Sequence, residues 1–399
     1  MDKLTIKDID VRDKKVLVRV DFNVPMNEDT GVITDDSRIR ASLPTIQYLI
    51  DRKAKVILCS HLGRPKGAPE AKFSLAPVAK RLSELIGKPV AMTRDCIGPE
   101  AEAAAKALKS GDILLLENLR FHAEEEKNGP DFSKALAGLA EVYVNDAFGT
   151  AHRAHASIVG VTKYLQPAVA GFLLEKELVH LGGILSSPVP PFTALLGGAK
   201  VSDKVALIEN IISKLNFILV GGGMAATFLK SEGYEVGQSL IEADRITTAA
   251  DLLKKTKANK VSLILPLDVV ITNDVSEKGS YQVVTIDKVP KDMKIVDIGP
   301  KTVESFTATL KKCKTIFWNG PMGVYEIPQF ARGSVAMANL LAGGIKGAST
   351  VIGGGSTADM VYDMKLADKM TFVSTGGGAS MSFLSGEVLP GVEALTNKK

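Results

Sequence analysis

The segment GFLLEKELVHLGGIL, residues 171–185, separates two parts of the chain that differ in chemistry. Four of its leucines recur at steps of four, three and four residues, which predicts one apolar face of a helix; they are Leu174, Leu178, Leu181 and Leu185. Segments that follow strands are rich in Arg and His before this helix and in Gly after it, and all five histidines lie at or before His180. The leucines alone are equally typical of an ordinary core helix. The difference between the flanks favours a hinge helix between two domains.

The length of 399 residues exceeds the size at which one hydrophobic core usually keeps growing, so we expect two domains. The predicted boundaries are an N-terminal domain over residues 1–170, the hinge helix over 171–185, a C-terminal domain over 186–384 and a tail over 385–399.

The charge balance of 49 basic against 45 acidic residues indicates a mixed surface, so a nucleic acid partner is not expected. Cys59, Cys96 and Cys313 are far apart and lack metal-ligand spacing, which favours free thiols in a reducing compartment. No apolar run approaches the roughly 18 residues needed to span a bilayer, and the N-terminus lacks an apolar targeting core. The sequence therefore predicts a cytoplasmic protein without a membrane partner.

Short apolar runs alternate with helical patterns on both sides of the hinge. Runs this apolar indicate strands that are covered on both faces, and hence a parallel α/β sheet in each half. The helical patterns include Leu75–Ile86 and Glu100–Leu108. The predicted strands are 16–22, 56–61, 112–118 and 142–148 in the first half, and 192–197, 217–222, 263–271, 294–299, 315–320, 349–354 and 370–376 in the second.

Basic and polar side chains follow the predicted strands of the first half. Ligands of parallel sheets bind beyond the carboxyl ends of the strands, and Arg grips carboxylates and phosphates through two N–H groups at once. Each Arg taken singly is more typical of a solvated loop, but four strand ends with the same bias predict a site for a small, multiply charged anion. His152-x-x-His155 has metal-ligand spacing without a completing carboxylate or thiol, so metal is not expected there. The basic and polar side chains predicted for the anion site are Asp21, Asn23, Arg38, His61, Arg64, Arg120 and Arg153.

Glycine-rich turns follow the predicted strands of the second half. In LLGGAKVSDK, residues 195–204, Lys200 and Lys204 lie one helical turn apart at the start of a helix, which predicts a phosphate site. The segment is not a P-loop. The GGG turns at 221–223, 353–355 and 376–378 either admit a ligand or allow close packing of helix on sheet. Glu326 is either an acceptor for two sugar hydroxyls or a surface carboxylate.

A site for a small anion and a site for a nucleotide together predict phosphoryl transfer, with the hinge closing the domains and excluding water. Two alternatives remain open. Gly221-x-Gly223-x-x-Ala226 matches the dinucleotide fingerprint weakly and suggests a nicotinamide-dependent dehydrogenase. The arginines alone suggest a non-catalytic sensor of sugar phosphates.

Several long segments carry a family resemblance: VRVDFNVP, DDSRI, SHLGRPKG, ENLRF, VNDAFGTAHRAHAS, LLGGAKVSDK, FWNGPMGVYE and STGGGAS. In order and spacing the chain resembles phosphoglycerate kinase of the bacterial type over essentially its full length. The resemblance implies two doubly wound, Rossmann-like domains joined by a hinge helix, with the tail 385–399 returning to the first. It implies a monomeric glycolytic phosphotransferase that interconverts 1,3-bisphosphoglycerate and ADP with 3-phosphoglycerate and ATP, using Mg²⁺ bound mainly with the nucleotide.

The resemblance also implies roles for individual residues. Arg38 and Lys200 would contact the phosphoryl group in transfer, Lys204 the nucleotide phosphates and Glu326 the ribose. The N-terminus of a helix formed by Gly354, Gly355, Ser356 and Thr357 would meet the phosphates. The glycerate substrate would be held by Asp21, Asn23, Arg38, His61, Arg64, Arg120 and Arg153.

The chain departs from the family at two positions. Where this chain has Ser356, the family usually has Asp, which is the expected protein contact to magnesium. Asp359 lies three residues further on, and it is not assigned as the magnesium ligand in place of that Asp. The metal ligand is therefore left unassigned. Some members also have Gly where Ile295 stands, on the expected adenine side. The chemistry needs no general base, because the acceptor carboxylate is already ionised.

Overall fold

A computed structural model describes residues 2–27 and 29–398. Met1, Glu28 and Lys399, which fall within the predicted ranges 1–170 and 385–399, lie outside the described residues. Contacts divide the chain into two compact units. The N-terminal unit comprises Met1–Val179 and Val388–Lys399, and the C-terminal unit comprises His180–Glu387. No helix of the described residues is long and apolar enough to cross a membrane.

The N-terminal unit is built on a six-stranded sheet in the order β3-β4-β2-β1-β5-β6, in which all pairs are parallel. The strands at its centre are buried on both faces, as their apolar sequences predict. The strands are β1 (Lys15–Val20), β2 (Lys55–Cys59), β3 (Ala91–Met92), β4 (Ile113–Leu115), β5 (Val142–Asp146) and β6 (Ala168–Ala170). The helices between them are α1 (Ser37–Asp51), α2 (Ala76–Ile86), α3 (Pro99–Ala107), α4 (Ala123–Glu126) and α5 (Pro130–Ala137).

A helix is present where the sequence predicts one, as α6 (Phe172–Ser186), and the boundary between the two units falls within it. Leu174, Leu178 and Leu181 are buried, as the leucine pattern predicts. Leu185 is half-buried, because Ile184, at a step of three from Leu181, occupies the buried face instead. Asp146, at the end of β5, accepts hydrogen bonds from the Leu173 and Leu174 N–H groups at 2.9 and 3.3 Å and so caps the helix.

The C-terminal unit contains a second parallel six-stranded sheet, in the order β15-β14-β13-β7-β8-β9. Two parallel sheets therefore form, as the sequence predicts. The elements of this sheet and its helices are β7 (Phe192–Leu196), α7 (Val205–Ile211), β8 (Phe217–Val220), α8 (Gly222–Ser231), α9 (Ile246–Ala258), β9 (Ser262–Ile264), α10 (Pro300–Leu310), β13 (Thr315–Asn319), α11 (Arg332–Ala342), β14 (Ser349–Gly353), α12 (Gly355–Asp363), β15 (Phe372–Val373) and α13 (Gly378–Leu384).

A three-stranded antiparallel sheet in this unit corrects two of the predicted strands. It consists of β10 (Asp268–Thr272), β11 (Gln282–Thr285) and β12 (Lys294–Ile298), in the order β11-β10-β12. The predicted strand 263–271 is split, because Pro266 has no N–H to continue the ladder of β9 on β8. The predicted strand 294–299 likewise belongs to the antiparallel sheet. Asp268 caps α10, since its carboxylate accepts the Thr302 N–H at 2.8 Å.

The C-terminal residues pack within the N-terminal unit. A short helix, α14 (Pro390–Glu393), follows Leu389, and the Gly391 N–H donates to the Ala151 carbonyl at 2.8 Å. The Leu4 N–H donates to the Thr396 carbonyl at 2.8 Å. An added Cβ on Gly391 would lie 2.6 Å from the Ile158 side chain, so the fit of this segment requires glycine there.

Candidate active site

Polar side chains from the ends of the first two strands of the N-terminal unit lie close together. Asp21 follows β1 directly, and its carboxylate pairs with the Arg38 guanidinium from the first turn of α1. His61, two residues beyond β2, places Nδ1 4.0 Å from the Asp21 carboxylate. Three side chains that the sequence predicts for one anion site are thus neighbours.

Arg19 belongs to the same cluster, although the sequence prediction omitted it. Its side chain is buried within β1, where Nε donates to Ser157 Oγ at 2.8 Å and Nη2 lies 3.2 Å from His61 Nδ1. Ser157 in turn donates from Oγ to the buried Glu125 carboxylate at 2.6 Å. A charged residue inside the apolar run VLVRV was the signal available in the sequence, since buried Arg is rare without partners.

The field of this cluster is cationic. Burial lowers the pKa of His61 well below its usual value, and the guanidinium groups of Arg19, Arg120, Arg153 and Arg38 lower it further. Burial and the same kind of neighbours lower the pKa of His155 to about 4. Both imidazoles are therefore neutral near pH 7, and the positive charge resides on the arginines. Such a field attracts a multiply charged anion.

Hydrogen bonds tie the loop after β2 to this cluster. The Gly63 N–H donates to Asn23 Oδ1 at 2.8 Å, and the Gly63 carbonyl accepts from Arg120 Nη1 at 2.8 Å. Arg120 is buried, and its Nε lies 3.1 Å from Glu126 Oε1 but donates no hydrogen bond within the described residues. The adjacent Arg64 is exposed. Gly63 has φ +63°, and an added Cβ would lie 2.3 Å from the Phe73 ring.

Arg153 is half-buried, and its Nε donates to His152 Nε2 at 3.3 Å. It contributes to the field at His61 together with Arg38 and Arg120. The structure thus groups Asp21, Arg38 and His61 by direct contact, adds Asn23 and Arg120 through Gly63, and adds Arg153 through charge.

A pocket of about 220 Å³ lies at the carboxyl ends of the central strands of the C-terminal unit. The residues predicted for phosphate binding meet here, although they come from three distant segments. The lining consists of Gly197, Gly198, Ala199, Lys200, Asp203, Lys204, Asn319, Gly320, Pro321, Gly354, Gly355, Ser356 and Thr357.

Two cations enter this pocket from the loop that precedes α7. Lys204 is half-buried, and its ammonium donates to the side-chain oxygen of Asn319. Burial lowers the pKa of Lys204, and the Asp203 carboxylate opposes that shift. Lys200 is exposed. One lysine is therefore fixed in place and the other is free to follow a ligand.

The remaining wall of the pocket is backbone. Gly354 precedes α12 with φ +85°, and an added Cβ would lie 3.0 Å from Asn319 Nδ2. The Gly320 N–H donates to Thr357 Oγ1 at 2.7 Å, which joins the end of β13 to the start of α12. Because the N–H groups of a first helical turn have no partner within the helix, this arrangement suits phosphate oxygens.

The glycines at 221–223 serve packing. An added Cβ on Gly221 would lie 2.6 Å from Met322 Sδ, and one on Gly222 would lie 2.6 Å from the Gly198 N atom. These close contacts account for both glycines by packing alone, without a bound dinucleotide. The structure therefore offers no support for a dehydrogenase.

Glu326 is not among the described residues that line this pocket. Its side chain is exposed in the turn after β13. Tyr325 beside it has a pKa raised by burial and then by the carboxylates of Glu326, Asp359 and Asp363, while a hydrogen bond with Ser356 lowers it. Glu326 thus lies near the start of α12. Ile295, in β12, packs among core side chains, and its N–H donates to Ser239 Oγ at 2.8 Å.

The pocket fits magnesium that arrives with a nucleotide. Mg²⁺ prefers oxygen ligands and keeps several of its waters when it binds together with phosphates. Among the described lining residues Asp203 supplies the carboxylate and Ser356 a hydroxyl, whereas Asp359 is outside the lining. These few oxygens suit an ion that is shared with phosphates and do not form an all-protein cage.

Comparisons with known proteins agree with this geometry. The phosphoglycerate kinase family model matches residues 6–387. A phosphoglycerate kinase of Clostridioides difficile is 52% identical over 400 residues, covering 100% of this chain and 99% of that protein. One of Moorella thermoacetica is 52% identical over 398 residues, covering 100% of both. The structure of phosphoglycerate kinase from Coxiella burnetii matches with a TM-score of 0.88 at 40% identity over 98% of each chain.

These matches span nearly the whole chain, and they confirm both the resemblance seen in the sequence and the α/β fold of two doubly wound sheets. The chain belongs to the phosphoglycerate kinase family.

Proposed function

We propose that the chain catalyses reversible phosphoryl transfer between 1,3-bisphosphoglycerate and ADP, giving 3-phosphoglycerate and ATP. The observation that carries the proposal is the chemistry at the carboxyl ends of the two parallel sheets. One sheet ends in a guanidinium cluster, and the other ends in a pocket of glycines and lysines. These are the groups required for a small polyanion and for nucleotide phosphates respectively.

The N-terminal unit is proposed to hold 3-phosphoglycerate and 1,3-bisphosphoglycerate. Arg38, Arg120 and Arg153 would pair with the phosphate and carboxylate, since the charges of all three act on His61, whose pKa is lowered by burial and further by these charges. His61 is neutral there, so it would act as a hydrogen-bonding group and not as a charge. Asp21 and Asn23 would accept or donate hydrogen bonds at the hydroxyl, and the exposed Arg64 would close over the ligand.

The C-terminal unit is proposed to hold ADP or ATP. Lys204 and the N–H groups of Gly354, Gly355, Ser356 and Thr357 would contact the phosphates, which is supported by their shared pocket. Glu326 would accept the ribose hydroxyls from its turn near α12. Burial raises the pKa of Tyr325 in that turn, and Tyr325 is close enough to α12 for the carboxylates of Asp359 and Asp363 to raise it further.

Positioning and charge neutralisation account for the chemistry. In the direction of ATP use, a carboxylate oxygen of 3-phosphoglycerate forms a bond to the γ-phosphorus while the bond to the ADP oxygen breaks. No proton has to be removed, so no general base is needed. Arg38, Lys200 and Lys204 would neutralise the charge on the migrating group, with Lys200 free to follow it because its side chain is exposed.

Magnesium would enter with the nucleotide and supply further charge neutralisation at the phosphates. Asp203 is the carboxylate of this chain proposed to hold it, with the Ser356 hydroxyl as a weaker contact. A neutral Ser356 leaves more of the ion's coordination to phosphate and water than a carboxylate would.

We also propose that the two units close during turnover, because water would otherwise hydrolyse the acyl phosphate. A monomeric, cytoplasmic enzyme is proposed as well. Cys59, Cys96 and Cys313 are free and buried, which suits a reducing compartment.

The decisive experiment measures ATP consumption by the full chain with 3-phosphoglycerate and Mg²⁺, coupled to reduction of the acyl phosphate by a downstream dehydrogenase. Turnover that requires all three components is expected. An anion sensor would instead bind 3-phosphoglycerate without consuming ATP, and that outcome would refute the proposal.

A further inference from the structure

Three side chains with different metal-binding chemistry meet in the N-terminal unit, outside the proposed substrate site. They are Asp95, Cys96 and His122, and one ligand atom from each lies within 4.8 Å of the other two. Asp95 and Cys96 lie in the loop between β3 and α3, and His122 immediately precedes α4. Their approach is therefore a product of the fold and not of sequence spacing.

Hydrogen bonds to Asp95 hold the three residues together. His122 Nε2 lies 2.7 Å from Asp95 Oδ1, and the same carboxylate oxygen accepts the Cys96 N–H at 2.6 Å. The Thr93 hydroxyl donates to the Asp95 carbonyl at 2.7 Å, which fixes the loop. Tetrahedral zinc places its ligand atoms about 3.5 Å apart, so to enclose an ion His122 Nε2 and Asp95 Oδ1 would separate by about 0.8 Å, while ligand atoms up to 4.8 Å apart would move closer.

We propose that Asp95, Cys96 and His122 form a binding site for a borderline divalent cation of the Zn²⁺ class. Thiolate and imidazole ligands select Zn²⁺ or Co²⁺, whereas Mg²⁺ and Ca²⁺ require mostly oxygen ligands. The Cys96 side chain is buried and Asp95 is exposed, so a solvent water completes a fourth position on the Asp95 side.

Binding of the divalent cation releases one proton, that of the Cys96 thiol, to solvent. The Cys96 thiol gives up this proton and becomes a thiolate that bonds to the metal. The proton through which His122 Nε2 contacts Asp95 Oδ1 moves to Nδ1 of the same ring, so that the Nε2 lone pair binds the ion.

The site is placed to stabilise the start of α4. That helix carries Glu125, which accepts from Ser157, and Glu126, which pairs with Arg120. An ion bound to His122 would join the loop 93–98 to this helix, and we therefore expect it to raise the unfolding temperature.

The test uses the full chain, freed of metal by a chelator and kept without nucleotide or Mg²⁺, and titrates it with Co²⁺ and then with Zn²⁺. One equivalent of Co²⁺ should give a thiolate-to-cobalt charge-transfer band and the visible bands of a four-coordinate ion, and Zn²⁺ should abolish both. Zn²⁺ alone should raise the unfolding temperature. Absence of the charge-transfer band would overturn the proposal.

Variants assign the ligands. Cys96→Ser should lose the charge-transfer band, whereas Cys313→Ser, at a buried thiol of the other unit, should keep it. Asp95→Asn changes an exposed side chain and should weaken Co²⁺ binding at least about tenfold. This variant tests the site if Cys96→Ser does not fold. Retention of the band in Cys96→Ser, or unchanged affinity in Asp95→Asn, would contradict the site.

Discussion

The two proposed ligand sites are formed by different chemical groups. In the N-terminal unit, long charged side chains contact one another, and a buried guanidinium, that of Arg19, supports the cluster from beneath. In the C-terminal unit, backbone and glycine form most of the pocket wall, and Lys204 is its one half-buried cation among the described lining residues. Substitutions should therefore act through charge in the first site and through backbone conformation in the second.

The largest effect is expected from removing the buried charge of the N-terminal unit. Burial raises the pKa of Glu125, and the guanidinium groups of Arg19 and Arg120 oppose that shift, so Arg19→Met removes one of the two cations that stabilise the buried carboxylate. We expect the free energy of unfolding to fall by about 3–5 kcal/mol, measured by urea denaturation.

Two variants make that measurement specific. Arg12→Met, at an exposed arginine of the same unit, should change stability little. Arg19→Met combined with Glu125→Gln should recover part of the loss, because the buried carboxylate that Arg19 stabilises is then absent. A double variant as unstable as the sum of the single variants would mean that the two groups do not interact.

The matching test of charge in the C-terminal unit is Lys200→Ala. Because Lys200 is exposed, its loss should leave the fold and nucleotide affinity nearly intact. Turnover should fall by about 10²–10³-fold, since the lysine is proposed to act on the migrating phosphoryl group. Coupled turnover and ADP titration measure the two quantities, with Lys257→Ala on α9 as the control. Equal losses in turnover and ADP binding would place Lys200 in ground-state binding instead.

Backbone conformation is tested at the start of α12. Gly354→Ala forces a Cβ onto a residue at φ +85° and against Asn319, so we expect a loss of about 1–3 kcal/mol in stability and weaker ADP binding. Gly355→Ala is the matched control, because an added Cβ there meets nothing within 4 Å. Thermal unfolding of both variants decides the point. Equal stability would show that the positive φ at Gly354 is dispensable.

The contrast between the sites also explains what the sequence could predict. Residues that follow apolar runs, such as Asp21, His61 and Lys204, could be assigned to strand ends, because parallel strands expose one common edge. The same rule failed for the strands at 263–271 and 294–299, where Pro266 diverts the chain into a separate antiparallel sheet. The rule locates strands but not the sheet to which each belongs.

Contacts between distant segments were beyond the sequence pattern. Arg19 occupies a strand position that the apolar run assigns to the core, and only its partners Ser157 and His61 explain the charge. Asp95, Cys96 and His122 lacked any spacing typical of a metal site, because tertiary structure brings them together. Asp203 became a candidate for magnesium only when the pocket lining was known.

The smallest predicted effect concerns a feature that the two units share. Asp146 and Asp297 are buried carboxyls that accept backbone N–H groups, and burial raises their pKa to about 6 and about 7 respectively. Each native carboxyl therefore binds a proton more readily than its unfolded form, so its contribution to stability falls as the pH rises from about 4 toward its folded pKa. His61 and His155 have lowered pKa values and act in the opposite direction, since their contributions fall as the pH drops below about 6.5.

Because these trends oppose each other in the wild type, the difference between wild type and a neutral variant isolates one carboxyl. Between pH 5 and pH 6 the wild type should lose about 1 kcal/mol of stability relative to Asp146→Asn. Relative to Asp297→Asn, the loss should continue to about pH 7, because burial holds the pKa of that carboxyl higher. Urea midpoints across this range measure both differences. Parallel curves for wild type and Asp146→Asn would mean that Asp146 ionises normally despite its burial, so that its contacts with the Leu173 and Leu174 N–H groups outweigh desolvation.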